Sequence, residues 1–284
     1  MKDKKWLKDM RIKHNLTQEK LAINTGLSKY TIENIEQGKR KGDKKTWDAI
    51  EKYFANTSKK RSPKSLFLKA IEKQHYYENF ITRSIKSSNA IEGNTLSYAE
   101  TYSIVFADES LPLQNINPRE LYEAINLKYA LNYSLEHLNS FNTSLVIKIN
   151  ELINKNIKDT KGYRTGKVLI KGADFVPPQA SLVPSMLNEL IYQYQNSEAP
   201  LLERIAFFHI GFERIHPFED GNGRTGRVLI NHMLINENQV PLVIPEEKRI
   251  EYFEYLQNED TIGLAKMFAD LQEKEKAKIK EYTK

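Results

Sequence analysis

One glycine-rich stretch, residues 216–227, constrains the fold of this chain more than any other segment. Its sequence is HPFEDGNGRTGR, in which three glycines stand beside two arginines. This composition predicts a loop whose backbone N–H groups face an anion. Residues 228–234 are mostly apolar at helical spacing, so the loop should open a helix whose positive dipole end faces the same anion. A phosphate fits such a site.

The loop also carries groups suited to phosphoryl or nucleotidyl transfer, which depends on positioning and charge stabilisation. His216 stands just before the glycines, where it can act as a general base. A carboxylate at Asp220 is unfavourable beside phosphate unless a hard cation such as Mg²⁺ lies between them. Arg224 and Arg227 are three residues apart, so both guanidinium groups lie on one face of the helix start and suit phosphate oxygens. The alternative is a polar helix cap with a buried histidine.

The amino-acid composition excludes some kinds of chemistry and predicts a cellular compartment for the chain. The 284 residues include no cysteine, which excludes disulfides, thiolate catalysis and cysteine metal sites. The N-terminus lacks the apolar core of a signal peptide. No apolar run approaches the roughly 20 residues that a membrane span needs. These features predict a cytoplasmic chain without a membrane partner.

The net charge of +6 is unevenly placed along the chain. Residues 1–61 hold 17 Lys/Arg against 8 Asp/Glu, whereas the remainder holds 26 against 29. A basic front domain ahead of a near-neutral larger one favours nucleic-acid binding at the front and other chemistry behind. The alternative is a solvated, lysine-rich surface.

The front end has the pattern of two short helices joined by a tight turn. One helix is predicted for residues 18–25 and should end at Gly26, which tolerates the left-handed conformation. The next is predicted for residues 29–37, capped by Ser28. This arrangement is a helix-turn-helix.

The sequences LTQEKLA, GLS and IENIEQG within residues 16–38 resemble the phage-repressor-type helix-turn-helix family. In that family the second helix lies in the DNA major groove, and dimers read paired half-sites. The resemblance implies a DNA-binding domain over residues 1–58, with a homodimer among its expected partners. Its candidate DNA contacts are Ser28, Lys29, Tyr30 and Glu33. The alternative is a helical module that contacts another protein or the chain's own second domain.

A second domain is expected over residues 63–284, where the pattern is almost all helical. Residues 54–63 are polar, basic and end in proline, which predicts a linker or a domain boundary. One long helix is expected from about residue 65 to 86. Residues 167–178 break the pattern, because they are β-branched, turn at Gly172 and stop at two prolines, which predicts a small β-hairpin. The predicted fold class is all-α, a helix-turn-helix bundle plus a helical domain with this hairpin.

The loop at 216–227 also resembles the defining motif of the Fic family. HPF at 216–218, DGNGR at 220–224 and Arg227 match the motif without a departure, and the resemblance extends over the helical domain, including Tyr163 and Arg164. Fic proteins mostly transfer AMP from ATP to a hydroxyl of a target protein and release pyrophosphate. The intact loop favours AMP over phosphate transfer, since phosphorylating members depart from the motif there. A choline or uridine nucleotide is the alternative donor.

The Fic resemblance implies a role for each residue of the loop. His216 would deprotonate the target hydroxyl, Phe218 would anchor the loop, and Asp220 would hold Mg²⁺. The phosphates of ATP would be bound by Gly221, Asn222 and Gly223 at the α position, by Arg224 at the β position and by Arg227 at the γ position. The hairpin at about 167–177 would be the family's flap, which aligns the target by strand pairing through Val168, Leu169 and Ile170.

A second motif lies upstream of the loop, at the end of a helix expected at about 80–93. Ser88, Glu92 and Gly93 resemble the Fic inhibitory motif. A carboxylate at a helix C-terminus is unfavourable, so Glu92 should have a cationic partner. The resemblance names Arg227, which would then be unavailable to the γ-phosphate and leave the α-phosphate misaligned. The alternative is an ordinary helix-end glutamate.

Two functions therefore follow from the sequence. The first is a self-inhibited protein adenylyltransferase with a DNA-binding front domain. The second is a DNA-binding transcription regulator whose Fic domain senses nucleotide or removes AMP from a target.

Overall fold

The computed structural model describes residues 3–13, 16–59, 65–107, 115–158, 161–170 and 174–283. The chain divides into two compact units, residues 1–63 and 64–284. Within the described ranges the regular elements are helices, without strands. The α-helices are α1 (Lys4–Lys13), α2 (Gln18–Thr25), α3 (Lys29–Glu36), α4 (Lys44–Lys59), α5 (Leu66–Ala70), α6 (Gln74–Ile91), α7 (Tyr98–Phe106), α8 (Pro118–Glu136), α9 (Thr143–Asn154), α10 (Val183–Asn196), α11 (Leu201–Ile215), α12 (Asn222–Asn236), α13 (Arg249–Gln257) and α14 (Thr261–Thr283).

None of the helices in the described part of the chain combines the length and apolar character that a membrane span requires.

In the front unit, capping side chains set the helix ends that the sequence predicts. The Thr17 hydroxyl accepts the Lys20 N–H at the start of α2, and the Ser28 hydroxyl accepts the Thr31 N–H at the start of α3. Gly26 ends α2 in the left-handed region, with φ 67°. The helices enclose a small apolar core of Leu7, Leu21, Ala22, Ile32, Ile35, Ile50 and Phe54. The helix-turn-helix arrangement of α2 and α3 is thus present.

Helix α4 corrects the predicted linker. It runs to Lys59, so the first six residues of the 54–63 stretch are helical. Phe54 is 2% exposed and packs edge-on against Trp6, with ring centroids 5.8 Å apart. This aromatic contact extends the helix beyond the point where the polar composition predicts a linker.

The single long helix expected at 65–86 is also wrong, because the chain breaks between α5 and α6. Phe67 and Phe80 lie 13 residues apart, which is about 20 Å along a helix, yet their ring centroids are 5.0 Å apart. The break folds Phe67 back onto α6, where it is fully buried. Tertiary packing has therefore overridden a continuous helical pattern.

Helix α12 lies at the centre of the second unit. It contacts α6, α8, α9 and α11, and its residues from Arg224 to Ile235 are buried. The buried Asn231 side chain on this helix bonds to the backbone N–H and carbonyl of Leu242. The N-terminus of this buried helix is where the glycine-rich loop ends.

The predicted β-hairpin is not found among the described residues. Residues 167–170 and 174–178 form no strand, and the turn at Gly172 lies outside the described ranges. The buried Arg164 side chain instead ties the two ends together by donating hydrogen bonds to the carbonyls of Gly166 and Pro178. An isolated two-stranded hairpin is only marginally stable in water. In this segment the hydrogen bonds from the Arg164 side chain, rather than bonds between two strands, join Gly166 to Pro178.

Candidate active site

The loop begins where α11 ends at His216. His216 takes a left-handed backbone conformation, with φ 49° and ψ 62°, which is uncommon for a residue other than glycine. Its N–H bonds to the Phe212 carbonyl at 3.0 Å, and its own carbonyl accepts the Nε–H of Arg164 at 2.8 Å. The hydrogen bonds to the N–H and to the carbonyl of His216 therefore stabilise this uncommon backbone conformation. They fix the His216 ring at the edge of the loop.

Arg164 lies outside the 216–227 stretch and is hydrogen-bonded to this part of the loop. Its guanidinium is buried, with the residue 2% exposed, and among the described residues it donates to backbone carbonyls, including those of His216 and Ile215. Its backbone N–H also bonds to the Pro217 carbonyl at 2.9 Å. Burial lowers the pKa of Arg164 from its ordinary value. Sequence reasoning noted Arg164 only as part of a resemblance and assigned it no role.

The His216 ring is oriented as a base. Its Nδ1 lies 3.3 Å from the carbonyl oxygen of Glu213. A carbonyl only accepts, so Nδ1 carries the proton and Nε2 keeps its lone pair. Burial, the largest cause, lowers the pKa of His216 below its ordinary value. The imidazole is therefore neutral near pH 7.

Phe218 and Asn222 hold the loop in shape. Phe218 is 1% exposed and stacks on Tyr163, with ring centroids 6.0 Å apart. The Asn222 side chain accepts the Phe218 N–H at 3.0 Å and donates to the Phe218 carbonyl at 2.9 Å. Asn222 is 3% exposed. The structure thus shows Asn222 closing the turn, a contact different from the phosphate contact that the resemblance implies for it.

Helix α12 begins at Asn222, within the stretch 216–227 that the sequence predicts as a loop. Gly221 precedes it with φ 74°, and a Cβ there would lie 3.0 Å from Ile153 and 3.1 Å from Asn154. Only glycine fits this conformation and this close approach. Because of the early start, Gly223 and Arg224 belong to the first turn, whose N–H groups lack partners within the helix and suit an anion.

Two asparagines of α9 support the loop from below, and sequence reasoning missed both. Asn150 and Asn154 donate to the Asp220 carbonyl at 2.9 and 3.0 Å, and Asn150 also donates to Thr225. Both are buried. Their i, i+4 spacing on the otherwise apolar buried face of α9 was the available signal, since two polar residues on a buried face must have polar partners.

The Asp220 carboxylate lies between two arginines. Its Oδ2 is 3.0 Å from Arg119 Nη2, its Oδ1 is 3.3 Å from Arg224 Nη2, and Oδ1 also accepts the Gly221 N–H at 2.6 Å. Sequence reasoning did not identify Arg119. The sequence feature that could have drawn attention to Arg119 is a positively charged side chain at the second position of a helix, where the helix dipole disfavours positive charge.

Arg224 has unused donors at the start of α12. The residue is 3% exposed and lies 3.3 Å from both Asp220 and Glu123. Its Nε and Nη1 have no hydrogen-bond partner among the described residues. Buried guanidinium donors normally have partners, so these atoms suit an anion at the helix N-terminus.

Arg227 is held by the end of α6. Its Nε donates to the Ser88 hydroxyl at 2.9 Å, and its Nη2 donates to the Ser88 carbonyl at 3.0 Å and to Glu92 Oε1 at 2.6 Å. Burial, the largest single cause, would raise the pKa of Glu92, but the charge and hydrogen bond of Arg227 together with the charge of Arg224 outweigh it, so the pKa lies below its ordinary value. Gly223 makes room for the pair, since a Cβ there would collide with the Glu92 carboxylate. Gly93 follows with φ 95°.

Behind Arg227 lies a buried polar group that sequence reasoning did not find. His209 Nε2 and the Tyr252 hydroxyl are 2.5 Å apart, and burial lowers the pKa of His209 to about 3. Burial raises the pKa of Glu213 to about 8, with Arg227 opposing and Glu92 adding to the shift. Glu213 Oε1 has no hydrogen-bond partner within the described ranges. At pH 7 Glu213 and His209 are therefore neutral.

The remaining site residues that the sequence predicts, those for target and DNA contacts, differ in their exposure. Leu169 is 85% exposed, and Val168 and Ile170 are half-buried. In the front unit, Lys29 and Tyr30 are exposed at the start of α3, whereas the Ser28 hydroxyl serves as its cap. Glu33 is half-buried.

The donors around Asp220 decide whether a metal fits. No group of three or more His, Asp or Glu side chains in the described ranges is arranged to hold a metal ion. Mg²⁺ is commonly bound by one or two carboxylates together with substrate phosphates. Asp220 beside an anion-binding helix start matches that donor set, so the residues fit a metal shared with a nucleotide.

Comparison with known proteins finds one family match within each unit. Residues 140–234 match the Fic/DOC family, and residues 7–59 match a helix-turn-helix family. Protein adenylyltransferase Fic from Aedes aegypti is 30% identical over 222 residues, which cover 73% of this chain and 43% of that relative. A probable protein adenylyltransferase from Aquifex aeolicus is 33% identical over 133 residues, covering 45% of this chain and 40% of the relative. The chain thus spans less than half the length of these curated relatives.

Solved structures share the fold. A Fic domain-containing signaling protein from Bacteroides thetaiotaomicron matches with a TM-score of 0.63 and 20% identity, over 74% of this chain and 87% of that one. Fic-1 from Caenorhabditis elegans matches with a TM-score of 0.60 and 20% identity, over 99% of this chain and 87% of that one. Residues 140–234, which include the loop at 216–227, therefore belong to a Fic/DOC family domain, and they follow a helix-turn-helix domain in the sequence.

Proposed function

We propose that the Fic domain transfers AMP from ATP to a Ser, Thr or Tyr hydroxyl of a target protein and releases pyrophosphate. The observation that carries this proposal is the start of α12, where a neutral histidine, a carboxylate and unused guanidinium donors surround one helix N-terminus. Relatives named protein adenylyltransferases support this reaction class.

Each residue of the loop has a different role in the proposed reaction. His216 Nε2 takes the proton from the acceptor hydroxyl, whose oxygen then attacks the α-phosphorus of ATP. The bond from the α-phosphorus to the bridging oxygen breaks, and pyrophosphate leaves. Arg224, whose Nε makes no hydrogen bond to a described residue, stabilises charge on the β-phosphate. Asn222 contributes through the shape of the loop, since its side chain is bonded to Phe218.

Asp220 would hold Mg²⁺ together with phosphate oxygens of ATP. The metal supplies charge neutralisation and orientation of the phosphates when bound. Gly221 and Gly223 leave the backbone accessible to the α-phosphate at the helix start. Val168, Leu169 and Ile170 lie on the segment that we propose aligns the target protein, with Leu169 exposed for that contact.

The proposed resting state is inhibited. Arg227 is engaged by Ser88 and Glu92, so it is unavailable to the γ-phosphate. An ATP molecule that lacks this contact presents its α-phosphate poorly for in-line attack. Movement of the α6 end would release Arg227 and activate transfer.

Transfer of labelled nucleotide tests this proposal. The full chain is incubated with Mg²⁺ and α-labelled ATP in cell lysate, and labelled bands are identified by mass spectrometry. Glu92→Gly should raise labelling by about ten-fold or more, within the range of couplings of 1–3 kcal/mol. Glu136→Gly, the same change at the end of α8, is the matched control and should leave labelling unchanged. Equal labelling by Glu92→Gly and Glu92→Gly/His216→Ala would contradict the proposal.

We also propose that the front unit binds DNA through α3, as a homodimer on paired half-sites. Lys29 and Tyr30 are exposed at the N-terminal end of this helix, the end that contacts bases in helix-turn-helix proteins. The family match over residues 7–59 supports this proposal.

A gel shift with DNA from upstream of the chain's own gene tests the second proposal. Lys29→Ala and Tyr30→Ala should each weaken sequence-specific binding, whereas Lys52→Ala on α4, also an exposed lysine, should weaken it less. Binding that is equal on all sequences and disappears with salt would indicate a basic surface alone.

A further inference from the structure

Arg119 occupies an unusual place for a cation. It is the second residue of α8, where the positive end of the helix dipole disfavours a guanidinium. More than half of its side chain, 57%, is exposed. The helix dipole therefore does not explain why an arginine stands at this position.

Arg119 bridges two carboxylates. Its Nε lies 3.1 Å from Glu123 Oε1 one turn along α8, and its Nη2 lies 3.0 Å from Asp220 Oδ2 across the site. The Arg119–Glu123 contact keeps the guanidinium near the loop even when the second contact is broken. Asp220 is reached from a residue 101 positions away, so this contact is a product of the tertiary fold.

The two oxygens of Asp220 have different partners. Oδ1 accepts the Gly221 N–H and faces Arg224, which is 3% exposed and buried at the helix start. Oδ2 faces Arg119, which is largely exposed. Oδ2 is thus the oxygen whose cation can leave without disturbing the buried part of the loop.

The strength of the pair suits displacement. Exposed ion pairs contribute only about 0–1 kcal/mol, and Arg119 and Asp220 are 57% and 28% exposed. A divalent cation carries twice the charge and binds carboxylate oxygen directly. It can therefore replace a guanidinium held this weakly.

We propose that Arg119 is a displaceable counter-ion of Asp220, a positioning residue that holds the carboxylate until a divalent cation takes its place. Metal and guanidinium then compete for the same oxygen. The proposal rests on the proposed role of Asp220 as the metal ligand. It adds that the affinity of the loop for metal is set in part by a residue of α8 outside the family motif.

Metal binding without nucleotide tests this competition. Binding of Mn²⁺ to the full chain is measured by electron paramagnetic resonance of the free ion, for wild type and for Arg119→Met. The variant removes the competing charge and should bind Mn²⁺ about two- to five-fold more tightly, the range of an exposed ion pair. Thermal unfolding of each variant establishes that it is folded.

The matched control is Lys158→Met. Lys158 pairs with Glu219 at 3.2 Å, so its loss also removes one exposed positive charge beside the same loop without freeing Asp220. This variant should bind Mn²⁺ more weakly than Arg119→Met does, and Asp220→Asn/Arg119→Met should lose the gain. Equal affinities for the two methionine variants, a gain that survives Asp220→Asn, or no detectable Mn²⁺ binding by Arg119→Met would each overturn the proposal.

The measurement uses neither ATP nor a target protein. A chain that fails to transfer AMP but shows the Mn²⁺ difference would contradict the transferase proposal alone. A chain that transfers AMP with equal Mn²⁺ affinities would contradict the counter-ion proposal alone.

Discussion

Glu92 Oε1 lies 2.6 Å from Arg227 Nη2, joining the end of α6 to the first turns of α12 across 135 positions of sequence. The Glu92 side chain is 36% exposed, whereas Arg227 is 7% exposed. The carboxylate therefore approaches from the open side of the site, and the guanidinium is the fixed partner. Displacing Glu92 would uncover Arg227 without unfolding its surroundings.

Ser88 should strengthen this contact, because its hydroxyl accepts the Nε–H of Arg227. Ser88→Ala removes one hydrogen bond to a charged group, about 1.5–3 kcal/mol, but leaves the Glu92 pair and the Ser88 carbonyl in place. We expect AMP transfer to rise above wild type and to stay below Glu92→Gly, as measured by labelled-ATP incorporation.

Ser84→Ala is the control for that experiment. Ser84 is also a buried serine of α6, but its hydroxyl bonds to the Phe80 carbonyl within the helix. Equal activation by the two alanine variants would show that loosening α6, rather than losing the Arg227 bond, is responsible.

The pH profile of transfer should report His216. Burial lowers the pKa of this histidine, so the base stays unprotonated to a pH below 6.5 and loses activity only at lower pH. We expect the rate of the Glu92→Gly variant to be level near pH 7 and to fall on acidification with an apparent pKa below 6.5. His216→Ala should lower the rate by about 100-fold or more. A rate that falls with an apparent pKa well above 6.5 would contradict the role.

Glu213 should make the free energy of unfolding depend on pH. Its pKa is about 8 in the folded chain against an ordinary value of 4.5. The folded state therefore holds the proton more tightly, and its stabilising effect is complete below pH 4.5 and is lost as the pH rises toward 8. Glu213→Gln cannot ionise, so its free energy of unfolding should rise relative to wild type over this window, by at most about 1.4 kcal/mol per pH unit.

Urea unfolding at several pH values measures this difference. Glu247→Gln, at an exposed carboxylate, is the control and should follow wild type. A Glu213→Gln difference that is the same at pH 5 and pH 8 would show that Glu213 is ionised in the folded chain.

Arg164 should be required for the shape of the loop. Arg164→Met removes charged hydrogen bonds to the carbonyls of His216, Gly166 and Pro178, each about 1.5–3 kcal/mol. We expect destabilisation of at least about 3 kcal/mol and faster amide exchange at His216. Arg204→Met, which loses one carbonyl bond to Tyr194, is the control and should affect neither the loop amides nor transfer.

Local signals in the sequence were sufficient for much of the fold. Ser28 caps the helix that its position predicts, and α2 has the predicted bounds of residues 18–25. Caps and apolar periodicity act over a few residues, so they can be recognised without the rest of the structure. The break between α5 and α6 could not, because it depends on Phe67 reaching Phe80.

The sequence by itself determined a glycine-rich loop that opens a helix, with His216 and Asp220 beside it, since these properties follow from residue type and spacing. Only the tertiary structure decided which groups neutralise and support that loop. Arg119 reaches Asp220, and Asn150 and Asn154 hold its backbone, whereas the pairing of Glu92 with Arg227 was already implied by the family resemblance. The physical reason is that a buried or crowded charge takes its counter-ion from whichever helix packs beside it, and that neighbour lies tens of residues or more than a hundred away in the chain.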